Sequence, residues 1–155
     1  MAILKEGLKA PPFSLPCTGE KTISLKDYAG KTAILYFYPK DDTPGCTKES
    51  CDFNAALPNF KKLKTAVIGI SRDNIASHEK FIKKYKLSFP LASDEDGKVC
   101  EKYGVWVKKS MYGRKYMGIE RSTFLIGPDG KILRIWNKVK VPGHVDEVMA
   151  ALKKA

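Results

Sequence analysis

The sequence has no apolar run long enough to cross a membrane, and its 155 residues include only four cysteines, two histidines and two tryptophans. A transmembrane helix needs about 18 consecutive apolar residues, so we expect no membrane association. The first residues, MAILKEGLKAPP, also lack the ~7–15 apolar residues of a secretory signal. We therefore expect a cytoplasmic protein. In that compartment lasting disulfides are rare, and a Cys–Cys bond would be transient and catalytic.

Acidic residues are few relative to basic ones, 17 against 28, and the formal net charge is +11. Such a charge can favour nucleic acids or acidic membranes. The lysines, however, are dispersed along the chain, which is typical of a solvated surface. Their densest grouping, residues 108–116, interleaves basic and aromatic side chains but carries no nucleic-acid recognition motif. We expect no nucleic-acid binding.

Hydrophobic periodicity, proline and turn residues together predict the secondary structure. The predicted elements are a hairpin of Phe13–Leu15 and Ile23–Leu25 with Cys17 in its loop, a buried strand Ala33–Tyr38, a helix over 44–64 that Pro58 should kink or break, a buried strand Ala66–Ile70, a helix Ile75–Tyr85, a short edge strand Phe89–Leu91, a short helix Asp96–Tyr103, a hairpin of Ser122–Ile126 and Ile132–Trp136, and a helix Val145–Leu152.

This order of elements predicts an α/β fold with a central mixed sheet flanked by helices. The β-α-β half would be parallel and the β-β-α half antiparallel, as in the thioredoxin fold. An N-terminal β-hairpin extension and an insertion around 87–118 would be added to that core. The length and the absence of a linker predict one domain over 1–155.

Cys46 is the strongest candidate for a reactive side chain. Thr43 is a good N-cap and Pro44 is favoured at the first helical position, so Cys46 should be the third residue of a helix. Unpaired backbone N–H groups and the helix dipole favour an anion there, which predicts a nucleophilic thiolate. The alternative is a small buried apolar residue, a common role for free cysteine. Its context of Gly45 and Thr47 is a poor one for a core position.

Cys51 lies five residues after Cys46. In an intact helix the two would be about 7.5 Å apart along the axis and about 140° apart around it, which is unsuitable for a disulfide. Either Cys51 is a core residue, or oxidation unwinds the first turn of the helix. We favour the second hypothesis, because helix ends open readily.

The run Tyr36-Phe-Tyr-Pro-Lys-Asp-Asp-Thr-Pro-Gly-Cys-Thr-Lys-Glu49 resembles the active-site segment of peroxiredoxins, in their bacterioferritin-comigratory (Q-type) branch. It contains the signature Pro39-x-x-x-Thr43-x-x-Cys46. The likeness extends to Ala10–Phe13, Tyr103–Val105 and Gly118–Phe124.

The resemblance implies a peroxidase for hydrogen peroxide and organic hydroperoxides, with Cys46 as the attacking cysteine and Cys51 as the resolving one. Thr43, Gly45 and Arg121 would bind the substrate, and Pro39 would shield the sulfur. From the residues alone, a surface salt bridge at Arg121 is equally plausible.

The resemblance implies thioredoxin or glutaredoxin as the reductant and a monomer. The cysteine spacing does not match a four-cysteine metal site, so we expect no cofactor or metal. Cys17 and Cys100 are isolated, although Cys100 is a minor rival to Cys51 as resolver. His78 and His144 fall on predicted helices without a motif that would make a Cys–His hydrolase. A thiol–disulfide oxidoreductase on the same fold lacks its usual Cys-x-x-Cys.

Overall fold

The computed structural model describes residues 4–155. In chain order its elements are β1 (Ser14–Cys17), β2 (Lys21–Ser24), a 3₁₀ helix (Leu25–Tyr28), β3 (Thr32–Phe37), α1 (Pro44–Lys62), β4 (Thr65–Ser71), α2 (Ile75–Tyr85), β5 (Leu91–Ser93), α3 (Lys98–Lys102), β6 (Trp106–Met111), β7 (Arg114–Ile119), β8 (Ser122–Ile126), β9 (Ile132–Trp136) and α4 (His144–Lys154).

A seven-stranded sheet in the order β2-β1-β5-β4-β3-β8-β9 forms the centre of the molecule. Strands β3, β4 and β5 run parallel, while β8 is antiparallel to β3 and β9 is antiparallel to β8. The mixed sheet, with α1 between β3 and β4 and with α4 after β9, confirms the predicted thioredoxin fold. The predicted N-terminal hairpin is also confirmed, and β1 joins it to the sheet beside β5.

The sheet divides the apolar interior into two cores, and strand β3 contributes side chains to both. Residues 33–38 have no solvent exposure, as the continuous apolar run predicts. Because successive side chains point to opposite faces, Ile34 and Tyr36 pack with α1, α2 and α4, whereas Leu35 and Phe37 pack with α3 and the N-terminal segment. The carboxyl end of this rigid strand leads directly into the loop before α1.

Helix α1 is continuous through Pro58, so the expected break does not occur. Phe53, Leu57 and Phe60 are buried against the sheet on one face of the helix. Packing of this apolar face compensates for the hydrogen bond that the Pro58 ring removes. The helix is therefore one continuous element from Pro44 to Lys62.

The prediction of an edge strand at Phe89–Leu91 is wrong. The strand is Leu91–Ser93, and it lies inside the sheet between β1 and β4. Pro90 precedes the strand, where its missing N–H costs nothing, and its carbonyl accepts a hydrogen bond from the Gly69 amide at 3.2 Å. Cys17 is likewise not in a loop, because it ends β1 and pairs with Ala92.

The expected insertion consists mainly of α3 and a separate two-stranded sheet, β6–β7, that the sequence did not predict. Tyr112 and Gly113 form its turn with φ angles of 52° and 76°, as a type I′ hairpin requires. Within residues 4–155, no helix combines the length and apolarity needed to span a membrane. The assignment of 1–155 to one domain stays a prediction.

Candidate active site

Cys46 lies where the sequence predicts, as the third residue of α1, and only 1% of its surface is exposed. Pro44 occupies the first helical position, and the first intrahelical hydrogen bond runs from the Thr47 amide to the Thr43 carbonyl at 2.8 Å. Helix geometry leaves the amides of Gly45 and Cys46 without carbonyl partners of their own. These N–H groups are available to an anion in front of the helix.

Arg121, just before β8, contacts the sulfur of Cys46 although the two residues are 75 positions apart. Its Nη2 lies 3.3 Å from Cys46 Sγ. A Cβ at position 45 would lie 3.1 Å from the same nitrogen, so glycine there leaves room for the guanidinium. The backbone carbonyl of Arg121 accepts a hydrogen bond from the Val139 amide, which fixes the residue at the strand entrance.

Glu49 is a member of the site to which the sequence assigned no role. It is fully buried one turn after Cys46, and its Oε1 accepts a 2.6 Å hydrogen bond from Arg121 Nη1. Burial raises the pKa of Glu49 to about 7, against the opposing effect of Arg121. Burial also disfavours the charge of Arg121, but Glu49 and the Cys46 sulfur raise the pKa of Arg121 above its ordinary value. The guanidinium therefore stays charged between a carboxyl group and a sulfur.

Thr43 occupies the N-cap position, but its side chain does not cap the helix. Its hydroxyl instead donates to the Lys40 carbonyl at 2.9 Å. The hydroxyl proton is thus used in the hydrogen bond to Lys40, and the lone pairs of the hydroxyl oxygen remain free to accept a hydrogen bond. This arrangement suits the substrate-binding role expected of Thr43.

Pro39 is exposed and lines a cavity of about 340 Å³ together with Trp106, Lys109 and Tyr116 of the β6–β7 hairpin. Burial lowers the pKa of Lys109, and the charge of Arg121 lowers it further. The hairpin therefore brings a second cation close to Arg121, which the sequence did not predict.

Cys51 is half-buried in the third turn of α1, and no disulfide is present. Burial raises the pKa of its thiol, with Asp52 acting in the same direction and Lys48 in the opposite one. Since the helix is intact, Cys46 and Cys51 face different directions and cannot be bridged without rearrangement. The structure therefore represents the dithiol form.

The remaining cysteines and histidines lie outside this site. Cys17 and Cys100 are buried, and burial raises the pKa of both thiols. His144 hydrogen-bonds Thr123 at 2.8 Å, and burial lowers its pKa to about 4. Among residues 4–155, one group of side chains has its potential ligand atoms close enough together to hold a metal ion: Asp41, Asp73 and His78. Within this group, His78 and Asp41 already hydrogen-bond each other at 2.7 Å.

The arrangement is suited to attack by sulfur on a bond whose leaving group departs as an oxygen anion. It combines a shielded sulfur, a cation in contact with that sulfur and free N–H groups at the helix start, with the Thr43 hydroxyl at the N-cap position before them. As negative charge moves from sulfur to a leaving oxygen, preorganised donors stabilise it without reorganisation.

Comparison with known proteins agrees with this chemistry. Residues 7–135 match the AhpC/TSA family. The chain is 52% identical over 149 residues to a putative peroxiredoxin bcp of Coxiella burnetii, covering 96% of this chain and 99% of the relative.

Two solved structures are closely similar. A cysteine-to-serine variant of Xylella fastidiosa PrxQ superposes with a TM-score of 0.94 at 41% identity and covers 99% of this chain and 98% of that one. The bacterioferritin comigratory protein of Xanthomonas campestris, whose structures concern its alkyl peroxide reduction activity, has a TM-score of 0.90 at 44% identity, with 97% and 98% coverage. This chain belongs to the AhpC/TSA family as a peroxiredoxin of the bacterioferritin-comigratory (Q) type, a thiol peroxidase that uses a peroxide substrate and a thiol reductant.

Proposed function

We propose that Cys46 is the residue that attacks the hydroperoxide and that Arg121 and Thr43 bind the substrate beside it. The observation that carries this proposal is the 3.3 Å contact between Arg121 Nη2 and Cys46 Sγ. Among the described cysteines, Cys46 alone has an arginine hydrogen-bonded to its sulfur. The cation stabilises negative charge on the leaving oxygen as the O–O bond breaks.

In the first step the Cys46 thiolate attacks the terminal peroxide oxygen and the O–O bond breaks. Sulfur becomes a sulfenic acid, and hydroxide or alkoxide leaves and takes a proton. Thr43 accepts a hydrogen bond from the peroxide, while Arg121 and the Gly45 amide stabilise the charge that moves along the O–O axis. Pro39 keeps water from the sulfur. Alkyl hydroperoxides are included, in keeping with the activity of the Xanthomonas campestris relative.

In the second step the Cys51 thiol condenses with the sulfenic acid, a disulfide forms and water leaves. Cys51 enters this step as a thiol because burial raises its pKa. The first turn of α1 unwinds to bring the two sulfurs together. The helix ends of a protein open at lower free energy than its core.

An external dithiol protein, thioredoxin or glutaredoxin, then returns two electrons and restores both thiols. We further propose a cytoplasmic monomer that needs no cofactor or metal and does not bind nucleic acid or membranes. A net charge of +11 disfavours contact between two copies. Size-exclusion chromatography with light scattering tests the monomer, and assays with each purified reductant system identify the donor.

The test of Cys46 compares Cys46→Ser with Cys17→Ser in a peroxidase assay. Loss of all activity in the first variant and near-normal activity in the second are expected, because Cys17 is a buried thiol outside the site. Substantial peroxide reduction by Cys46→Ser would refute the proposal.

A further inference from the structure

The loop between β3 and α1 carries the peroxide-binding residues, and helix α2 holds it at two consecutive carboxylates. Asp41 points inward and is buried, while Asp42 points outward and is exposed. Both side chains are bound by residues of α2. The loop conformation is therefore fixed by an element to which the peroxidase chemistry assigns no role.

Asp41 is the inner attachment, and three side chains surround its carboxylate. Tyr38 donates to Oδ1 at 2.5 Å, Ser77 donates to Oδ2 at 2.8 Å, and His78 Nδ1 lies 2.7 Å from Oδ2. The backbone N–H of Asp41 donates to Asp73 Oδ2 at 2.9 Å. Both the side chain and the backbone of this loop residue are thus hydrogen-bonded.

His78 has no exposed surface, and oxygen atoms face both of its ring nitrogens. Nε2 lies 3.0 Å from the Ala92 carbonyl, which can only accept, so Nε2 carries a proton. Nδ1 faces Asp41 Oδ2, so a further proton must lie between these two atoms. The pair consequently shares a proton inside the protein, where such hydrogen bonds are strong and their loss is costly.

Asp42 is the outer attachment and has a left-handed backbone, with a φ of 56°. Lys84 Nζ and Tyr85 Oη contact its carboxylate at 2.8 and 2.7 Å. Because this ion pair is exposed, solvent weakens it. It provides a matched comparison for the buried pair, on the same loop and the same helix.

We propose that His78 and Asp41 form a positioning pair that aligns Thr43 and the start of α1 for attack on the peroxide. The connection is short: Asp41 anchors the loop, the Thr43 hydroxyl donates to Lys40 within it, and the Thr43 carbonyl begins α1. The inference rests on the proposed function of Cys46. It adds that the rate of attack on the peroxide depends on helix α2, through the alignment of Thr43.

The test measures two reactions of Cys46 in each variant by rapid mixing, one with hydrogen peroxide and one with iodoacetamide. Peroxide reduction needs an aligned Thr43 hydroxyl, whereas alkylation needs only an accessible nucleophilic sulfur. His78→Gln and Asp41→Ala should lower the peroxide rate constant about 10–100-fold, because small misplacements are costly in preorganised sites. Their alkylation rates should remain within about twofold of wild type, and Lys84→Gln should leave both rates within that range.

Asp41→Asn is the conservative variant. Its amide can donate to Nδ1 of a neutral His78 and accept from Tyr38, so it preserves these two hydrogen bonds without the charge, while the Ser77 hydroxyl turns from donor to acceptor. It should retain at least about a third of the wild-type peroxide rate, in contrast to Asp41→Ala.

Unchanged peroxide rates in His78→Gln and Asp41→Ala would overturn the inference. Equal losses in both Cys46 reactions would also overturn it, since they would indicate general destabilisation. Should those two variants fail to fold, Asp41→Asn decides: a peroxide rate below a tenth of wild type overturns the inference, and a retained rate supports it. The wild-type peroxide rate, measured first, tests the proposed function separately, and an inactive wild type would remove the basis of both.

Discussion

The four cysteines of the chain differ in their surroundings rather than in their chemistry. Cys17 and Cys100 are held as buried thiols, Cys51 is a half-buried thiol on a helix, and Cys46 lies at a helix start against Arg121. Only the last setting combines a cation with unpaired amides. The reactivity of Cys46 therefore follows from the residues that contact its sulfur.

Arg121→Lys tests the fork geometry of this contact. Arg121 uses separate nitrogens for Glu49 and for Cys46, which a single ammonium cannot reproduce. We expect kcat/KM for hydrogen peroxide to fall about 100-fold, as measured by rapid mixing. Arg134→Lys, an exposed substitution on β9, serves as the control. Equal rates for the two variants would contradict the role of Arg121.

Glu49→Gln tests the buried carboxyl through the pH dependence of stability. The pKa of Glu49 is about 7 in the folded protein and about 4.3 when unfolded. Between these values the folded state binds more protons, so this group's contribution to the unfolding free energy should decrease as pH rises, by up to about 4 kcal/mol.

Urea unfolding of wild type and Glu49→Gln at several pH values checks this prediction. The difference in unfolding free energy between the two proteins should shift in favour of the variant as pH rises from about 4.5 through 7, and should level off near pH 8. A difference that is constant with pH would show that the Glu49 carboxyl has the same proton affinity in both states.

The sequence could single out Cys46 and Thr43 from the helix start that they form, whereas Arg121 became a candidate only through the resemblance to a family. The sequence could not assign Glu49, since a glutamate on a helix is usually solvated, and only the fold brings it against Arg121. The same holds for His78 and Asp41, which lie 37 positions apart and meet through the packing of α2.

Helix α1 must be rigid for the first step and must open for the second. Its first turn presents the Cys46 sulfur, while its later turns pack Phe53, Leu57 and Phe60 on the sheet. Unwinding therefore has to be confined to the beginning of the helix. The buried contact between Ser50 and Tyr36 at 2.8 Å is the point beyond which opening becomes costly.

Hydrogen exchange measured before and after one equivalent of peroxide tests this local opening. Oxidation should increase exchange at the amides of residues 47–50, whose carbonyl acceptors lie at or just before the first turn of α1, and leave the turns beyond residue 53 protected, because those turns are buried in the core. Cys51→Ser cannot form the disulfide and should show no such increase. Its Cys46 should over-oxidise under excess peroxide. Protection of the amides of residues 47–50 that oxidation leaves unchanged would contradict the unwinding hypothesis.

Elements with a local pattern were predictable, and elements defined by distant partners were not. The apolar period of α2 gave its bounds, Ile75–Tyr85, without error. By contrast, β5 is a three-residue strand whose interior position depends on pairing with β1, over 70 residues earlier. The β6–β7 hairpin turns at Tyr-Gly, which is a weaker turn signal than Asn-Gly.

At the scale of the whole molecule, the fold brings three distant chain segments to one point. Strand β3, paired in parallel with β4, leads into the loop before α1 at its carboxyl end. The antiparallel strand β8 begins beside that end and places Arg121 there, and α2 holds the loop through the His78–Asp41 contact. The strand order that does this could be predicted as a thioredoxin fold from the order of elements. The sequence could not predict that the insertion places Lys109 and Tyr116 beside Pro39 at this end of the sheet.

The most direct test of the account is peptide mapping of the reduced protein after reaction with one equivalent of hydrogen peroxide. Trypsin cleaves after Lys48, between the two cysteines, so a Cys46–Cys51 bond would join peptides 41–48 and 49–61. We predict rapid loss of two of the four thiols and appearance of this joined pair, with Cys17 and Cys100 still reduced. Retention of all four thiols, or a disulfide that excludes Cys46, would contradict it.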